Sequence, residues 1–580
     1  MQSSTEKGRD YFTVHSYRIF ACLVLLSAGI SSLYINFPPG DSWTHGWTVD
    51  QWLKGNFVLN DWSSAVALPQ QFAGWIVNFG SETVQWWRLS LLTAIVTVAG
   101  CIVAGGIPAR LFPEIPSLKN WSPLFAIVIL AMPFTLKAGA GFMTDGYYFI
   151  LLTSSLWFLI GLTVNPEKLS DSRWFMGWSL YGILALLASL QRSHGFLLLV
   201  LPAIFIILFK SKNRDGWSVK RTTHAITVCL LGFVAGIAIL AIPFLTPARS
   251  GEVTSEMASF WLGKLMPWSS IASDRFNLIF GIFQHLGFAL LPLVLFARPV
   301  RKKSKRDKGK LRINWWFTVS GAVFLLYTFF LWADNGKLFP YLGNSVTSEG
   351  FGPRADTITA TAGHRMSGIV MVLFTCLGTL GGMWLLWLMT RAVKIKKIDW
   401  LSPQALIGIL GIGHLALVIV NPHFFDRYFI PLMPFILCWM APMLKSATSR
   451  ARVAAWILAL IFLAISIIGT FDYLGWTKSK WELSNELRSR GIQSDRIVGG
   501  YEVDGFFNFT NENYPGLNFG DNPMLPWWVD RLGLPISPDY IVVEKGASLN
   551  GTPWDRYSRT IIENGQMCVY EAPVKMPGFE

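Results

Sequence analysis

Long apolar segments recur through most of this 580-residue chain, and they restrict what it can fold into. A helix that crosses a bilayer needs roughly 20 mostly apolar residues, and the chain contains thirteen segments of about that length. Only 14% of its residues are charged and 52% are hydrophobic, which excludes a set of soluble domains. We therefore predict a polytopic α-helical membrane protein with about 13 transmembrane helices. The predicted spans lie near residues 18–37, which we expect to be a retained helix, 88–110, 123–140, 147–164, 175–191, 196–209, 223–246, 277–297, 314–332, 368–390, 401–421, 429–444 and 453–470.

The placement of positive charge predicts how the chain is oriented. The formal net charge is +14, and Lys and Arg concentrate in short loops, with nine of them between Arg298 and Arg312. The positive-inside rule places these loops and the N-terminus in the cytoplasm. The basic run at 301–306 is better explained by this topology and by anionic lipid than by nucleic acid, so no nucleic-acid partner is predicted. The outward loops are then 38–87, 246–276, 333–367 and everything after 470.

The first outward loop, 38–87, has the pattern of two amphipathic helices. Each predicted helix ends at a glycine, Gly55 for the first and Gly80 for the second. Tryptophan-rich amphipathic helices commonly settle at the headgroup level of a membrane, and we expect both to do so. The residues that share a face are Trp43, Gly46, Trp47, Val49 and Leu53 in the first, and Phe72, Trp75, Ile76 and Phe79 in the second.

Two aspartates lie where predicted spans meet the outer surface. Asp41 directly precedes the first amphipathic helix, and Asp145 lies two residues before the fourth span. Both have an ordinary explanation, because Asp is a favoured N-cap residue. The alternative is a functional role, since ionisable groups close to hydrocarbon are costly and tend to mark sites. A carboxylate at the mouth of a membrane-embedded chain is a candidate general base.

Arginines and histidines accompany the aspartates on the outward side. Arg192 and His194 interrupt two apolar stretches, Arg427 lies at the start of the twelfth span, and His364 and Arg365 lie just before the tenth. A guanidinium group suits phosphate recognition because it makes paired, charge-assisted hydrogen bonds. The alternative for each arginine is an interfacial anchor. No pair of histidines has metal-binding spacing, and the six cysteines indicate no disulfide framework.

Four stretches carry, in order, a resemblance to a known family. They are Asp41–Trp62, Phe142–Gly146, Leu187–Pro202 and Arg427–Pro434. Together they resemble the GT-C glycosyltransferases, the polyprenyl-phosphate-sugar-dependent membrane enzymes that include protein O-mannosyltransferases and the aminoarabinose transferase of lipid A. The resemblance covers residues 1 to about 470. The family often has two adjacent acids at the first motif, whereas Ser42 follows Asp41 here.

The resemblance implies an inverting sugar transfer at the outer membrane face. The donor would be a sugar on a polyprenyl phosphate and the acceptor a hydroxyl of a glycan, glycolipid or protein. Asp41 and Asp145 would be the catalytic residues, with Asp41 the base. No metal ligand is assigned, although a divalent metal remains an open alternative. The resemblance also implies donor-phosphate binding by Arg192, Arg427 and Arg365, and substrate binding by His194, His364 and Asp50.

The remaining residues, 471–580, are predicted to form a small extracytoplasmic C-terminal α/β domain beside the transmembrane domain of residues 1–470. We expect a helix at Lys478–Arg490 and strands near 496–500, 540–544 and 567–571. This domain is expected to act as a structural cap and shows no catalytic pattern. The chain as a whole is predicted to lie in a bacterial or archaeal cell membrane. Alternatives are a lipid-linked oligosaccharide ligase or polymerase, and a transporter or flippase, although no internal repeat is evident.

Overall fold

The computed structural model of the protein describes thirteen stretches of the chain. The predicted first span, 18–37, lies almost entirely outside them. The described residues are 35–63, 66–210, 218–242, 268–298, 315–335, 345–347, 350–351, 367–393, 402–420, 425–513, 527–544, 555–558 and 566–571.

Helices dominate the described part of the chain. Short 3₁₀ segments, including Ser193–Phe196 and Asp426–Leu432, connect some of them. The α-helices are α1 (Ser42–Leu53), α2 (Leu68–Asn78), α3 (Trp86–Leu111), α4 (Ser122–Leu130), α5 (Pro133–Ala140), α6 (Thr144–Thr163), α7 (Asp171–Gln191), α8 (Leu197–Lys210), α9 (Val219–Leu240), α10 (Trp268–Ala289), α11 (Leu291–Val294), α12 (Trp315–Asn335), α13 (Gly368–Val393), α14 (Pro403–Val420), α15 (Met433–Leu444), α16 (Ser449–Ser489), α17 (Tyr501–Asn508) and α18 (Trp527–Leu532).

The apolar helices coincide with the predicted spans from residue 88 onward. Seven helical segments of the described residues are long and apolar enough to cross a membrane, and α4 with α5 makes an eighth if the bent pair is one span. Four further apolar helices, at 193–208, 278–289, 321–330 and 403–419, are shorter. The chain is therefore a helical polytopic membrane protein, while the number thirteen stays a prediction.

The predicted continuous span at 123–140 is wrong in one respect, because the helix is broken. Helices α4 and α5 meet at an angle of 72°. Met132 between them is extended, with φ −72° and ψ 129°, and Pro133 opens α5. Proline lacks the N–H that a continuing helix needs, and it disfavours helical geometry in the residue before it. The break turns α5, with Lys137, toward the end of the bundle where the candidate site lies.

The interior of the bundle is built from two large apolar clusters. One joins α4, α10, α13, α15 and α16, and the other joins α6, α7, α8, α9 and α14. Small residues permit helices α10 and α13 to approach each other closely. A Cβ on Gly287 of α10 would collide with the backbone of Gly382 in α13. Close backbone approach of this kind is typical of helix packing in membranes.

Helix α16 continues from the bundle into the C-terminal segment. Its 41 residues span about 60 Å at 1.5 Å per residue. The predicted domain boundary at 470 falls inside this helix. The predicted helix at Lys478–Arg490 is the end of α16, which stops before Gly491 with φ +90°.

A four-stranded sheet follows α16 in the C-terminal segment. Its strands are β3 (Ile497–Val498), β4 (Tyr540–Glu544), β5 (Asp555–Ser558) and β6 (Gln566–Glu571), while β1 (Val346–Thr347) and β2 (Gly350–Phe351) form a separate hairpin. The sheet has the order β3-β4-β6-β5, in which the first pair is parallel and the other two pairs are antiparallel. The predicted strands at 496–500, 540–544 and 567–571 overlap β3, β4 and β6.

The two helices of the first loop have different surroundings. Three residues of the predicted apolar stripe are exposed, Phe72 and Ile76 on α2 and Phe79 directly after it, at 54%, 52% and 72%. The prediction that α1 lies on the membrane is wrong, because ten of its twelve residues are buried. Trp43 on α1 packs edge-on against Tyr501 of α17 and against Phe509. Helix α1 is therefore enclosed between the bundle and the C-terminal segment.

Candidate active site

Four charged residues that the sequence singled out separately meet at one end of the bundle. Arg427 Nη2 lies 2.8 Å from Asp41 Oδ2, and its Nε lies 4.0 Å from Asp145 Oδ2. Arg192 Nη2 lies 2.9 Å from Asp145 Oδ1. We call these four residues the Asp–Arg cluster. Its charges alternate in space, so each carboxylate contacts a guanidinium group and Arg427 links the two aspartates.

The cluster is assembled from the ends of separate helices. Asp41 lies in the turn before α1 and Asp145 in the first turn of α6. Arg192 is the extended residue between α7 and the 3₁₀ segment at 193–196, where the sequence predicts an interruption between two apolar stretches. Arg427 lies in the 3₁₀ segment before α15. Side chains at helix ends converge here because the helices pack side by side.

Gly141 allows the two aspartate-bearing loops to approach each other. A Cβ at this position would lie 2.6 Å from Ser42 Oγ and 2.9 Å from Pro39 Cγ. Real Cβ atoms essentially never come so close, so a larger residue would push the Asp41 turn away from the loop before α6. The glycine is thus part of what places Asp41 and Asp145 in one site.

Asp41 does not use its side chain as a helix cap. It occupies the N-cap position of α1, but its carboxylate makes no capping hydrogen bond. Oδ2 accepts a hydrogen bond from Arg427 Nη2, and Oδ1 accepts one of 3.1 Å from Tyr501 Oη. The side chain remains 41% exposed. The carboxylate therefore faces both the cluster and an open surface.

The surroundings of Asp41 keep its carboxyl group ionised. Burial would by itself raise the pKa of Asp41. Three neighbours outweigh it and hold the pKa below its ordinary value of 3.8: Arg427 through its charge and hydrogen bond, Tyr501 through its hydrogen bond and Lys137 through its charge. At neutral pH this carboxylate is available to accept a proton.

Asp145 has a different environment from Asp41. Its side chain is completely buried, and its two oxygens accept no hydrogen bond of good geometry from the described residues. It is held by ionic contact with Arg192 and Arg427. The capping explanation does not apply here either, since Met143 occupies the N-cap position and Thr144 Oγ1 accepts hydrogen bonds from Arg192 Nε and Nη2 at 3.1 and 2.6 Å.

The remaining predicted site residues lie outside the cluster. His194 packs near the ring of Tyr148, with 6.5 Å between ring centroids. Asp50 pairs with Lys54 at 2.6 Å and accepts a 3.4 Å hydrogen bond from the backbone of Val84, so it stabilises the end of α1. His364 and Arg365 lie outside the described residues.

Two groups at the site, Tyr501 and Lys137, were not predicted from the sequence. Tyr501 contributes a hydroxyl from the C-terminal segment, contrary to the expectation that this segment adds no group to the site. Lys137 adds a third positive charge whose field reaches Asp41. Tyr501 is 460 positions away from Asp41, and no local pattern marks it.

A pair of glutamines fastens α2 to the site. Gln191 Nε2 donates to Gln70 Oε1 at 2.8 Å, and Gln191 Oε1 accepts from the backbone N–H of Gln70 at 3.2 Å. Gln70 Nε2 also donates to the carbonyl of Phe142 at 2.9 Å. Gln191 directly precedes Arg192, so this pair fixes the position from which Arg192 reaches Asp145.

His45 lies on α1, near the cluster, and is neutral. Its Nδ1 is 3.4 Å from Gln71 Nε2, and burial lowers the pKa of His45 to about 4. A neutral imidazole adds no charge to a site that already holds three cations. It is a hydrogen-bonding partner for α2 at physiological pH.

The donor set of the cluster does not fit a divalent cation. Each aspartate is paired with a guanidinium group, which would repel a metal ion bound to the same oxygens. Within the described ranges no group of three or more His, Cys, Asp or Glu side chains is placed to hold a metal.

Comparisons with known proteins give structural neighbours without sequence relatives. No protein-family model matches the chain, and no curated protein matches it. ArnT from Cupriavidus metallidurans bound to undecaprenyl phosphate aligns with 95% of this chain and 97% of its own, at 11% identity and TM-score 0.41. The archaeal oligosaccharyltransferase AglB from Archaeoglobus fulgidus, in complex with an inhibitory peptide and a dolichol-phosphate, aligns with 90% of this chain and 69% of its own, at 14% identity and TM-score 0.41.

Both neighbours are glycosyltransferases of the GT-C superfamily that the sequence motifs resemble. The functional assignment of this chain rests on the Asp–Arg cluster and its surroundings.

Proposed function

We propose that this protein is a membrane glycosyltransferase that moves a sugar from a polyprenyl-phosphate donor to an acceptor hydroxyl. The observation that carries the proposal is the Asp–Arg cluster, in which a half-exposed, ionised carboxylate lies 2.8 Å from a guanidinium group that also contacts a second, buried aspartate. Sugar transfer from a lipid phosphate needs a proton acceptor and cations for the leaving phosphate, and the cluster offers both.

Asp41 is the proposed general base. The acceptor hydroxyl attacks the anomeric carbon on the face opposite the phosphate, so the new C–O bond forms with inversion. The bond between the anomeric carbon and the phosphate oxygen breaks, and its electron pair leaves with the lipid phosphate. The hydroxyl proton passes to Asp41, whose oxygens keep unused lone pairs beyond their bonds to Arg427 and Tyr501.

Arg427 and Arg192 are the proposed phosphate-binding groups. Both side chains are 13% exposed at the surface of the cluster, and Arg427 Nε donates no hydrogen bond to the described residues. Preorganised cations of this kind stabilise the negative charge that develops on the leaving oxygens. Lys137 on α5 adds positive charge on the same side, and Arg365 remains a candidate for the same role.

Asp145 is proposed to position the arginines. A side chain with no exposed surface does not reach the reacting atoms in this conformation, whereas its contacts with Arg192 and Arg427 hold both guanidinium groups in place. This role differs from the catalytic one that the resemblance implied for Asp145.

The donor is proposed to approach from the lipid side, next to α2. One face of α2 is bonded to the site through Gln70, while Phe72, Ile76 and Phe79 are exposed on its surface. An isoprenoid chain could lie against those apolar residues while its phosphate reaches the arginines. This end of the bundle is proposed to lie outside the cytoplasm, which the positive charge of the predicted cytoplasmic loops supports. The acceptor, a glycan, glycolipid or protein, is proposed to arrive from the aqueous side.

The test is to incubate the purified protein in lipid nanodiscs with a panel of radiolabelled polyprenyl-phosphate sugars. Undecaprenyl- and dolichyl-phosphate sugars are the first to use, because the two structural neighbours are bound to those lipid phosphates. We expect release of the lipid phosphate, as hydrolysis or transfer, from at least one donor. Turnover of a lipid-pyrophosphate oligosaccharide alone would favour the ligase alternative. No turnover of either class would contradict the proposal.

A further inference from the structure

Tyr501 connects the C-terminal segment directly to Asp41. Its side chain is buried, and its hydroxyl donates to Asp41 Oδ1 at 3.1 Å. The same hydroxyl oxygen accepts a 2.9 Å hydrogen bond from Trp62 Nε1. Since Trp62 occupies one acceptor position of the phenol oxygen, the hydroxyl proton is directed toward the carboxylate.

Trp62 is itself fixed in the first loop. Its backbone N–H donates to Asn60 Oδ1 at 3.0 Å, and the backbone N–H of Asn60 donates to Thr48 Oγ1 of α1 at 3.1 Å. Asn511, which follows α17, accepts from the backbone of Asp61 at 3.1 Å and donates to the carbonyl of Leu59 at 2.8 Å. The loop that holds Trp62 is thus bonded to α1 and to the C-terminal segment.

Helix α17 is also packed firmly against α1. The ring of Trp43 lies edge-on to the ring of Tyr501, with 5.8 Å between their centroids. A Cβ at Gly505 would lie 2.5 Å from the indole of Trp43, so only glycine lets α17 come this close. The position of the Tyr501 hydroxyl is therefore set by rigid contacts on both sides.

The two oxygens of Asp41 then have different partners. Oδ2 is paired with the cation of Arg427, and Oδ1 is bonded to the neutral phenol of Tyr501. A carboxylate held at both oxygens cannot rotate about its χ2 bond without losing one contact. Its free lone pairs therefore keep a constant direction, which a proton transfer with defined geometry requires.

We infer that Tyr501 is a positioning residue for Asp41, through which the C-terminal segment sets the orientation of the proposed catalytic base. This inference rests on the proposed function. It assigns the segment after α16 a part in the reaction, in addition to covering α1. Trp62 serves the same purpose one step further away, by orienting the phenol.

A pH profile separates this role from a purely structural one. Four titratable groups surround Asp41. They are Arg427 in the segment before α15, Tyr501 on α17, Lys137 on α5 and the neutral His45 on α1. Removing the Tyr501 hydroxyl deletes one bond to the ionised carboxylate and leaves the three cations of the site in place. The acid limb of kcat/KM, which reports the base, should therefore move to higher pH.

The experiment compares Tyr501→Phe, Trp62→Phe and the control Tyr540→Phe, which makes the same chemical change on strand β4. Each is measured in nanodiscs with the donor that the wild-type protein uses. For Tyr501→Phe we expect kcat to fall about 10-fold, the donor KM to stay within two-fold, and the acid limb to rise by roughly one pH unit. Trp62→Phe should change kcat and the acid limb in the same direction by less, and Tyr540→Phe should leave kcat and the acid limb unchanged.

The outcomes distinguish the inference from the proposed function. If Asp41→Asn abolishes turnover but Tyr501→Phe keeps kcat within two-fold and leaves the acid limb unmoved, the inference is wrong and the proposed function stands. If Tyr501→Phe fails to fold, Trp62→Phe carries the test, and an unshifted limb in that variant overturns the inference. If Asp41→Asn keeps its turnover, the proposed function itself fails.

Discussion

Two groups of charged side chains among the described residues differ in how much of their surface remains accessible. In the Asp–Arg cluster, Asp41 is 41% exposed and both arginines retain some exposed surface. In the C-terminal segment, Lys480 pairs with Glu502 at 2.8 Å with side-chain exposures of 0% and 1%, and Asp504 is equally buried. We call Lys480, Glu502 and Asp504 the enclosed charge group.

The difference between the two groups indicates different roles. Lys480 also lies over the ring of Trp476 at 3.9 Å, and Asp504 accepts hydrogen bonds from Trp528 Nε1 at 2.8 Å and from the backbone of Gly499 at 2.8 Å. These contacts join α16, α17 and α18 and leave no surface for a substrate. The enclosed group should therefore stabilise the fold, whereas the Asp–Arg cluster should act on a substrate.

The largest expected effect is on stability in the enclosed group. Glu502→Gln leaves the Lys480 ammonium buried without its counter-charge, which should cost about 3–5 kcal/mol of folding free energy. We expect a much lower apparent unfolding temperature in detergent, measured by tryptophan fluorescence. The double variant Lys480→Met, Glu502→Leu should recover most of the loss, because it removes both charges together. An unchanged unfolding temperature in Glu502→Gln would contradict a structural role.

The next largest effect should be on activity, at Arg427. Arg427→Gln removes the cation that faces both aspartates, and we expect transfer to fall about 100- to 1,000-fold. Arg427→Lys keeps a positive charge but loses the planar guanidinium group, so its transfer rate should lie between those of Arg427→Gln and wild type. Initial rates with labelled donor measure this, and Arg496→Gln, at an exposed ion pair with Asp539, is the matched control. Equal rates for all three variants would remove Arg427 from the mechanism.

A smaller effect should appear in the pH dependence of stability. Burial raises the pKa of Asp504 to about 7. The hydrogen bonds from Gly499, Trp528 and Gly500 and the charge of Lys480 lower this pKa, but burial has the larger effect. Between about pH 4 and pH 7 the folded state keeps this proton and the unfolded state releases it, so stability should fall as pH rises. Asp41 has the opposite sign, since its pKa is lowered and its contribution is lost only below about pH 4.

The measurement is the unfolding temperature of wild type and Asp504→Asn at pH 5, 6 and 7. The wild type should lose stability by roughly 1 kcal/mol per pH unit more than the variant across this window. Parallel slopes for the two proteins would show that Asp504 does not titrate there.

The sequence predicted much of the membrane part and of the cluster. The spans follow from the length of apolar runs, and the break at Arg192 follows from polar residues between two of them. Asp41 and Asp145 were singled out because ionisable groups close to hydrocarbon are costly, and Arg192 and Arg427 because a guanidinium group suits phosphate recognition. That Arg427 would link the two aspartates could not be predicted, because the relative rotation of the helices determines it.

Other features depended on tertiary contacts. The pattern of α1 is that of a helix with one apolar face, and such a face looks the same whether lipid or protein covers it. The structure covers it with α17, which also delivers Tyr501 from 460 positions away. Met132-Pro133, in contrast, is a local signal of a broken helix, and the prediction of a continuous span at 123–140 overlooked it.

The central claim is that Asp41 is the base of a sugar transfer. The most direct measurement compares single-turnover rates of Asp41→Asn and Asp50→Asn with wild type in nanodiscs, using the labelled polyprenyl-phosphate sugar that the wild type consumes. Asp50 is a matched control, because it lies on α1, the helix that follows Asp41, and pairs with Lys54 away from the cluster. We predict that Asp41→Asn loses about 100- to 10,000-fold in rate and that Asp50→Asn stays within three-fold. A folded Asp41→Asn protein with a rate near that of wild type would contradict the account.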